Sequence, residues 1–429
     1  MPQPGDLVKV TTKKGMEQGV LMPSPQKDVV LIKLDTGYNL GFKKEEVKSL
    51  IALEKQKKTK TVMLKVPPPN KNLPTISILH TGGTIASKVD YRTGSAVSDF
   101  RPEELVALFP ELQTIANIKS ELVAQMWSDD LRFPHFALIA KKIEEHVKKG
   151  SRGIIIGMGT DNLAVAAAAL SFIVEKTPVP IVFVGAQRSS DRGSSDAGMN
   201  LICAAEFVSK TDFGSVGICM HEKESDDYCV ILPGTKTQKL HSSRRDAFKA
   251  VNAGPLARIG YKDRKIVFLD GKYPQVAKEL LLKPKMEEKV GLLKIHINMF
   301  PEQFSFFRGY KGLIIEGTGL GHTPGQVPNP ECEIHRKIYP ALKKLIASGC
   351  VVVMTTPCLF GGVNMNVYDK GRDLLGLGVI SGKDMLANTA LVKVSWLLAN
   401  YKLDDVKKMV SENLRGEINE RLEYEEEFI

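Results

Sequence analysis

Short apolar segments at close spacing mark the first fifty residues of the chain. Each segment is typical of a strand, and together they cover residues 7–10, 19–22, 29–34 and 38–42. Turn residues, such as Pro23-Ser24-Pro25 and Asp35-Thr36-Gly37, separate them. This pattern predicts a small antiparallel β-barrel over residues 1–52. A charged stretch and three consecutive prolines follow, which predicts a stiffened linker over residues 53–72.

Apolar strands alternate with helical segments from residue 73 onward. Strand-like runs occur at residues 75–80, 153–157, 179–184 and 215–220, and a second set occurs at 312–316 and 350–354. The alternation predicts an α/β fold with mostly parallel sheets and right-handed crossovers. We expect two units, residues 73–285 with the candidate catalytic residues, and residues 290–429. The charged stretch 403–429 predicts a helical tail on the surface or against a partner.

The composition, 43% hydrophobic and 25% charged residues, is that of a soluble globular protein. No apolar stretch approaches the roughly 18 residues of a membrane span, and the N-terminus shows no secretory signal pattern. Six scattered cysteines without a Cys-x-x-Cys pair predict free thiols and a cytoplasmic protein. The net charge of +10 can attract RNA, but the charge is not concentrated in an arm and identifies no binding surface by itself.

A glycine-rich turn follows the first strand of the α/β region. Its sequence is Thr81-Gly82-Gly83-Thr84-Ile85-Ala86. Glycines allow a sharp turn and a close approach of the backbone to a ligand. Open α/β sheets bind and react at the carboxyl ends of their parallel strands. Thr84 is therefore a candidate nucleophile, although this segment alone is equally consistent with an ordinary strand-to-helix turn.

A second polar turn follows another buried strand and opens a helix. It contains Gly159, Thr160 and Asp161 within residues 157–162. Thr160 and Asp161 are expected at the sheet edge that carries Thr84, where helix-start amides can bind an anion. The alternative is that one of them only caps the helix. The turn has no GxGxxG spacing, and the chain contains no GxxxxGK[ST] phosphate loop.

Lys239 is the candidate proton carrier. A lysine is usually a solvated surface charge, but a lysine beside Asp161 and a threonine could serve as a base. Threonine is a weak nucleophile unless a neighbouring group takes its proton. Two threonines, an aspartate and a lysine would supply this chemistry without a metal or an organic cofactor.

Together these segments resemble the L-asparaginase/glutaminase family, in order and spacing, over residues 74–396. The resemblance implies an asparaginase-like two-domain fold. It also places the family's threonine nucleophile at Thr84, its Gly-Thr-Asp turn at Gly159-Thr160-Asp161, and its catalytic lysine at Lys239, before Ser242-Ser243. The family's substrate-binding serine and its neighbour correspond to Ser128 and Asp129, which would otherwise be taken for a loop or a helix cap.

Two positions depart from the family pattern, and one further segment agrees with it. Tyr91 is available for the family's mobile substrate-loop tyrosine, or it is an ordinary loop aromatic. His322 occupies a place where many relatives carry asparagine near the neighbouring subunit's site, or it is a surface-loop histidine. Residues 186–188, Ala-Gln-Arg, are also similar to a family segment.

The N-terminal barrel and linker extend the resemblance to the whole chain, which is similar to the family of archaeal glutamyl-tRNA(Gln) amidotransferase D subunits. That resemblance implies a glutaminase that forms a homodimer and passes ammonia to an E subunit within a heterotetramer. The E subunit would amidate Glu-tRNA(Gln). No cofactor is expected in this chain, and ATP and Mg²⁺ are expected at the partner subunit.

The expected mechanism begins with attack of Thr84 on the glutamine side-chain amide. Thr160 would then position water, while Lys239 and Asp161 manage protons. The order in which the two threonines act and the preference for glutamine over asparagine stay open. A free-standing L-asparaginase/glutaminase of amide catabolism is the alternative, and a non-catalytic RNA-binding scaffold is a third possibility that would not require these four residues.

Overall fold

The computed structural model describes residues 2–13, 15–24, 28–34, 39–54, 69–83, 87–89, 96–98, 109–188, 194–269 and 271–422. Thr84 and Tyr91 lie outside the described residues. The predicted fold class is confirmed, because an antiparallel N-terminal sheet precedes two α/β units. All six cysteines are free thiols, as the sequence predicts. Among the described helices, none combines the length and apolar character needed to cross a bilayer.

The N-terminal sheet has five antiparallel strands: β1 (Leu7–Thr12), β2 (Met16–Met22), β3 (Val29–Lys33), β4 (Asn39–Lys43) and β5 (Val47–Glu54). Their order is β4-β3-β2-β1-β5. Side chains alternate along a strand, and Val8, Val10 and Ile32 form a barrel-like core on one face. Strand β5 was not predicted. It has no fully buried residue, shifts register twice against β1, and extends to Glu54, within the predicted linker.

The central sheet has eight strands: β6 (Thr75–His80), β9 (Asn117–Leu122), β10 (Ile154–Gly157), β12 (Ile181–Val184), β13 (Val216–His221), β14 (Tyr228–Pro233), β17 (Ala257–Gly260) and β18 (Ile266–Phe268). Their order is β18-β17-β14-β13-β12-β10-β6-β9. The five strands from β13 to β9 are parallel, which confirms the predicted mostly parallel sheet, although β9 itself was not predicted. The other three strands pair antiparallel, β13 with β14 and β17 with β18 as hairpins, and they were not predicted.

Three strand pairs lie beside this sheet: β7 (Ser87–Val89) with β8 (Ala96–Ser98), β11 (Val174–Lys176) with β19 (Leu281–Leu282), and β15 (Thr237–Lys239) with β16 (Phe248–Ala250). The helices of this unit are α1 (Leu112–Ile115), α2 (Phe133–Lys148), α3 (Leu163–Ile173) and α4 (Ala197–Lys210). Strand β10 shows how the layers form. Ile154 and Ile156 join the core with α2 and α3, while Ile155 joins the core with α1 and α4.

The C-terminal unit has a parallel sheet of β20 (Val290–Lys294), β21 (Gly312–Glu316), β22 (Val351–Thr355) and β23 (Ile380–Ser381). Its helices are α5 (Pro301–Ser305), α6 (Ile338–Ala347), α7 (Asp369–Leu377), α8 (Ala387–Asn400) and α9 (Leu403–Met409). Helix α3 is apolar on almost every side because the sheet covers one face and α8 the other. The Phe172 and Trp396 ring centroids are 5.8 Å apart, so the two units share one core.

The predicted helical tail is confirmed only for α9 and is wrong for residues 410–422. Helix α9 ends at Met409, and residues 410–422 continue as turns and irregular chain. Gly416 takes a φ of +79°, which a helix does not allow. Val406, Val410 and Ile418 are buried in the shared core. The tail is charged in sequence, yet its apolar positions pack inward.

A buried ion pair anchors this tail segment. Lys393 on α8 lies 2.6 Å from Glu417, and both side chains are fully buried. Lys393 Nζ also donates to the carbonyls of Val410 and Glu412. The Glu417 carboxylate accepts the backbone N–H groups of residues 414 and 415. The pair therefore satisfies backbone groups of the turn as well as its two charges.

The tail also contacts the turn that precedes β15. Lys236 Nζ donates to Asp384 Oδ2 at 2.6 Å, and both side chains are buried. The backbone N–H of Asn419 donates to the other oxygen of Asp384 at 3.0 Å. Thr235 Oγ1 donates to the carbonyl of Arg415 at 3.1 Å. The C-terminal unit thus holds the start of the strand that ends at Lys239.

Candidate active site

Strands β6 and β10 end side by side at the carboxyl edge of the central sheet. They are parallel neighbours, and His80 pairs with Gly157. Beyond the last pair, the N–H of Thr81 donates to the carbonyl of Gly157 at 3.0 Å. The two motif loops therefore leave the sheet next to each other, at the edge where open α/β sheets bind ligands.

Glycines let three loops pack closely at this edge. Gly83 has a φ of +79°, and a Cβ atom there would lie 2.2 Å from the backbone nitrogen of Gly159. A Cβ at Gly159 would in turn lie 2.8 Å from Ser128 Oγ. The sequence suggested that glycine allows the backbone to approach a ligand. Among the described residues, Gly83 approaches the backbone of the second motif.

Lys239 brings the second motif together with the β15–β16 hairpin. Its Nζ donates to Thr160 Oγ1 at 2.9 Å and to Asp161 Oδ1 at 2.7 Å. Only 13% of the Lys239 side chain is exposed, whereas 73% of the Asp161 side chain is exposed. Lys239 is therefore not the solvated surface lysine of the alternative interpretation. Asp161 lies at the solvent side of the group, and Thr160 lies at the buried side.

This arrangement orients a hydroxyl and holds a proton beside it. As an ammonium, Lys239 donates to Thr160 Oγ1, so the hydroxyl hydrogen of Thr160 remains available to a water molecule or a substrate atom. The Asp161 carboxylate stabilises the ammonium by charge and hydrogen bonding. The helix-cap alternative for Thr160 and Asp161 is wrong, because the residue at the N-cap position of α3 is Asn162.

Ser128 lies next to the second motif, whereas Asp129 is exposed to solvent. Ser128 begins a short 3₁₀ turn (Ser128–Asp130) and is buried. Its carbonyl accepts a hydrogen bond from Asn162 Nδ2 at 2.8 Å. Asn162 ties the Ser128 turn to the Thr160 turn, and the sequence patterns did not single it out. Its position directly after Asp161 was the available signal.

His322 lies in the loop after β21. Its imidazole packs edge-on against Tyr368 with ring centroids 5.3 Å apart, and partial burial lowers its pKa. Among the described residues, its Nε2 is buried without a hydrogen-bond partner. The ring is thus half-buried against Tyr368 in a loop, which does not decide between the two interpretations.

A large cavity of about 1120 Å³ lies away from these residues. Gly234, Lys236, Asn252 and Arg415 are among the residues that line it. It lies by the turn before β15, whereas Lys239 ends that strand. Among the described residues, cavity size therefore does not identify the reacting site, whereas the convergence of Lys239, Thr160 and Asp161 does.

Comparisons with known proteins identify the family to which this fold belongs. The family "Asparaginase, N-terminal" matches residues 75–272, and "Glutaminase/Asparaginase C-terminal domain" matches residues 289–410. The L-asparaginase of Thermococcus kodakarensis is 27% identical with a TM-score of 0.71, covering 81% of this chain and 100% of its own. L-asparaginase I of Vibrio cholerae is 26% identical with a TM-score of 0.68, covering 81% of this chain and 99% of its own. The fold and site thus define an asparaginase-class amidohydrolase.

Relatives that match nearly the whole chain identify a family within the asparaginase-class amidohydrolases. "GatD N-terminal domain" matches residues 2–65. The glutamyl-tRNA(Gln) amidotransferase D subunit of Pyrococcus furiosus is 44% identical over 96% of this chain and 93% of its own length. The corresponding D subunit of Archaeoglobus fulgidus is 42% identical over 98% of this chain and 96% of its own length. The chain belongs to the family of glutamyl-tRNA(Gln) amidotransferase D subunits, as the sequence resemblance suggested.

Gly83→Ala is expected to lower kcat for amide hydrolysis at least about tenfold, since a misplacement of about 1 Å can cost more than this. The added Cβ would lie 2.2 Å from the Gly159 backbone and would push the two motif loops apart. Gly150→Ala is the matched control, because Gly150 has a similar φ of +82° but no atom within 4 Å of the added Cβ. The rate of ammonia release by each purified variant measures its activity. Equal activity in the two variants would contradict the close packing of the loops.

Proposed function

We propose that this chain is a glutaminase subunit that hydrolyses glutamine and releases ammonia for the amidation of Glu-tRNA(Gln) to Gln-tRNA(Gln) by a partner subunit. The observation that carries the proposal is the contact of Lys239 Nζ with both Thr160 Oγ1 and Asp161 Oδ1. The family membership supports a reaction on an amide, because the relatives carry the name of an amidotransferase component.

The proposed reaction has two steps. Thr84 Oγ attacks the side-chain amide carbon of glutamine, the C–N bond breaks, and the hydroxyl proton reaches the leaving nitrogen, which departs as ammonia. Backbone N–H groups stabilise the oxyanion. Water activated beside Thr160 then cleaves the ester, which yields glutamate and restores Thr84. Lys239 and Asp161 carry protons in both steps.

The position of Gly83 supports this role for Thr84. Gly83 directly precedes Thr84 in the chain, and its backbone lies against Gly159, one residue before Thr160. Ser128, which contacts Gly159, is proposed to bind substrate together with Asp129. Tyr91 is proposed as a further substrate-binding residue.

The proposed assembly follows from the family and from the N-terminal sheet. The L-asparaginase structures cover 81% of this chain and nearly all of their own length, so their fold does not require an N-terminal unit of this kind. We assign that unit to the function shared with the full-length relatives. The proposed partners are a second copy of this chain, an E subunit and Glu-tRNA(Gln), and ATP and Mg²⁺ act at the E subunit. The proposed location is the cytoplasm.

Thr84→Ala is expected to lower kcat for glutamine hydrolysis at least ~10²-fold, the scale of losing nucleophilic assistance. Thr84→Ser is the matched control because it keeps the hydroxyl. Ammonia release is measured with and without the E subunit and charged tRNA. Near-normal hydrolysis by purified Thr84→Ala would contradict the assignment of the nucleophile.

A free-standing L-asparaginase is the second candidate, because the solved structures with the same fold carry that name. The same assay on asparagine and glutamine separates the two. Full activity on asparagine by the isolated chain, unchanged by the E subunit and tRNA, would favour the second candidate. Glutamine hydrolysis that rises when the partner and tRNA are added favours the first.

A further inference from the structure

The loop that follows strand β12 packs against Thr160. Gly185 follows strand β12, and a Cβ atom there would lie 2.8 Å from Thr160 Cγ2 and 2.9 Å from Leu163 Cδ1. The methyl of Thr160 is thus in close contact with the Gly185 backbone. Threonine is branched at Cβ, so a fixed methyl also fixes the direction of the hydroxyl. In this rotamer the hydroxyl accepts the hydrogen bond from Lys239.

The buried carboxylate of Asp196 holds the residues after Gly185. Asp196 precedes helix α4 and is completely buried. Its oxygens accept the backbone N–H of Gln187 at 3.0 Å and the backbone N–H of Arg188 at 3.0 Å. A buried carboxylate is costly unless such donors satisfy it. The loop and the carboxylate therefore fix each other.

Asn200, also completely buried, holds Gly185 itself. Its Nδ2 donates to the carbonyl of Gly185 at 3.1 Å and to Asp196 Oδ2 at 3.2 Å. Because both partners only accept, the orientation of the Asn200 amide is determined. Its Oδ1 then accepts from His221 Nδ1 at 2.6 Å, which makes Nδ1 the protonated nitrogen.

We propose that Asp196 and Asn200 are positioning residues for hydrolysis: they hold the Gly185 loop against the Thr160 methyl and so keep the Thr160 hydroxyl on Lys239. Neither side chain touches the Lys239 group, and both act through the backbone of residues 185–188. The proposal rests on the proposed function, in which Thr160 takes part in amide hydrolysis.

Gly185→Ala tests the contact directly. The added methyl is expected to displace Thr160 and to lower kcat about 10²-fold, the scale of a misplacement of about 1 Å, with KM changed less than kcat. Gly376→Ala is the matched control, because no atom lies within 4 Å of its added Cβ. A crystal structure of Gly185→Ala should show the Thr160 Oγ1 to Lys239 Nζ distance beyond hydrogen-bonding range. An unchanged distance with unchanged kcat would overturn the proposal.

Rescue separates positioning from a general structural defect. Thr160→Ser removes the methyl that the new Cβ would meet but keeps the hydroxyl. In a Thr160→Ser background, Gly185→Ala is therefore expected to cost no more than about threefold, because the contact with the Thr160 methyl is removed and Leu163 Cδ1 is the end of a flexible side chain that can shift. An equal loss of kcat in both backgrounds would overturn the proposal, even where the distance has changed.

Asn200→Leu completes the test, because it removes the donor that holds Gly185. It is expected to lower kcat as Gly185→Ala does, and the double variant should lose little more than either single variant. The thermal unfolding of Asn200→Leu is measured in parallel. If this variant does not fold, the Gly185→Ala result alone tests the proposal. Failure of the proposed function can be distinguished from failure of the positioning proposal, because in the first case the unmodified chain would not hydrolyse glutamine.

Discussion

Lys239→Met is expected to lower kcat for glutamine hydrolysis at least ~10²-fold, the scale of losing base assistance. Methionine keeps the apolar stem, so packing of the largely buried side chain is preserved. It removes the ammonium that donates to Thr160 at 2.9 Å and to Asp161 at 2.7 Å. The Thr160 hydroxyl then loses its hydrogen-bond donor, and Asp161 loses its counter-charge. Steady-state ammonia release by the purified variant measures the effect.

Two further variants sharpen this result. Lys239→Arg keeps the positive charge beside Asp161 but cannot lose its proton near neutral pH. A strong loss of kcat in Lys239→Arg therefore indicates proton transfer, whereas near-normal activity indicates that the charge alone suffices. Lys249→Met is the matched control on strand β16, because that side chain is 46% exposed. Comparable losses in Lys239→Met and Lys249→Met would contradict a specific role for Lys239.

Lys393→Met is expected to lower the free energy of unfolding by about 3–5 kcal/mol, as removal of one partner from a buried ion pair does. Glu417 would keep its charge in the core without Lys393, and the carbonyls of Val410 and Glu412 would lose a donor. Burial already lowers the pKa of Lys393, and Glu417 offsets part of that effect. The ammonium is therefore maintained by contacts that methionine cannot replace.

Urea denaturation of the purified chain measures this change. Lys148→Met is the matched control, because Lys148 forms an ion pair of 2.7 Å with Glu144 while 71% of its side chain is exposed. Exposed pairs contribute little to stability, so the control should unfold close to the unmodified chain. Similar denaturation midpoints for the two variants would show that the Lys393 pair does not anchor the tail.

The sequence predicted the site residues that local pattern reveals. Thr160 and Asp161 follow a buried strand, so their place at the sheet edge follows from strand direction alone. Lys239 required the family resemblance, because nothing in the local sequence distinguishes it from the other lysines nearby, such as Lys236 and Lys249. Its contact with Thr160 spans 79 positions and depends on the β15–β16 hairpin.

The residues that were missed act through long-range contacts. Asn200 appears as one polar residue in an apolar helix, and its role becomes visible only when β12 places Gly185 beside it. The tail was predicted as a surface helix because its charges are conspicuous. The burial of Glu417 depends on Lys393 from helix α8, which no local pattern records. Strands β9, β14, β17 and β18, at the two ends of the central sheet, were also missed.

The anchoring of the β15 strand has a consequence for protein synthesis. Lys236, three residues before Lys239, is bound by Asp384, a residue 148 positions later in the chain, and Asp384 is bound by Asn419. A growing polypeptide on the ribosome therefore exposes its threonine motifs long before the strand that carries Lys239 is fastened. We expect truncated chains that end before these residues to leave glutamine intact. Ammonia production would begin only once translation has passed the tail, when the finished chain can meet its partner.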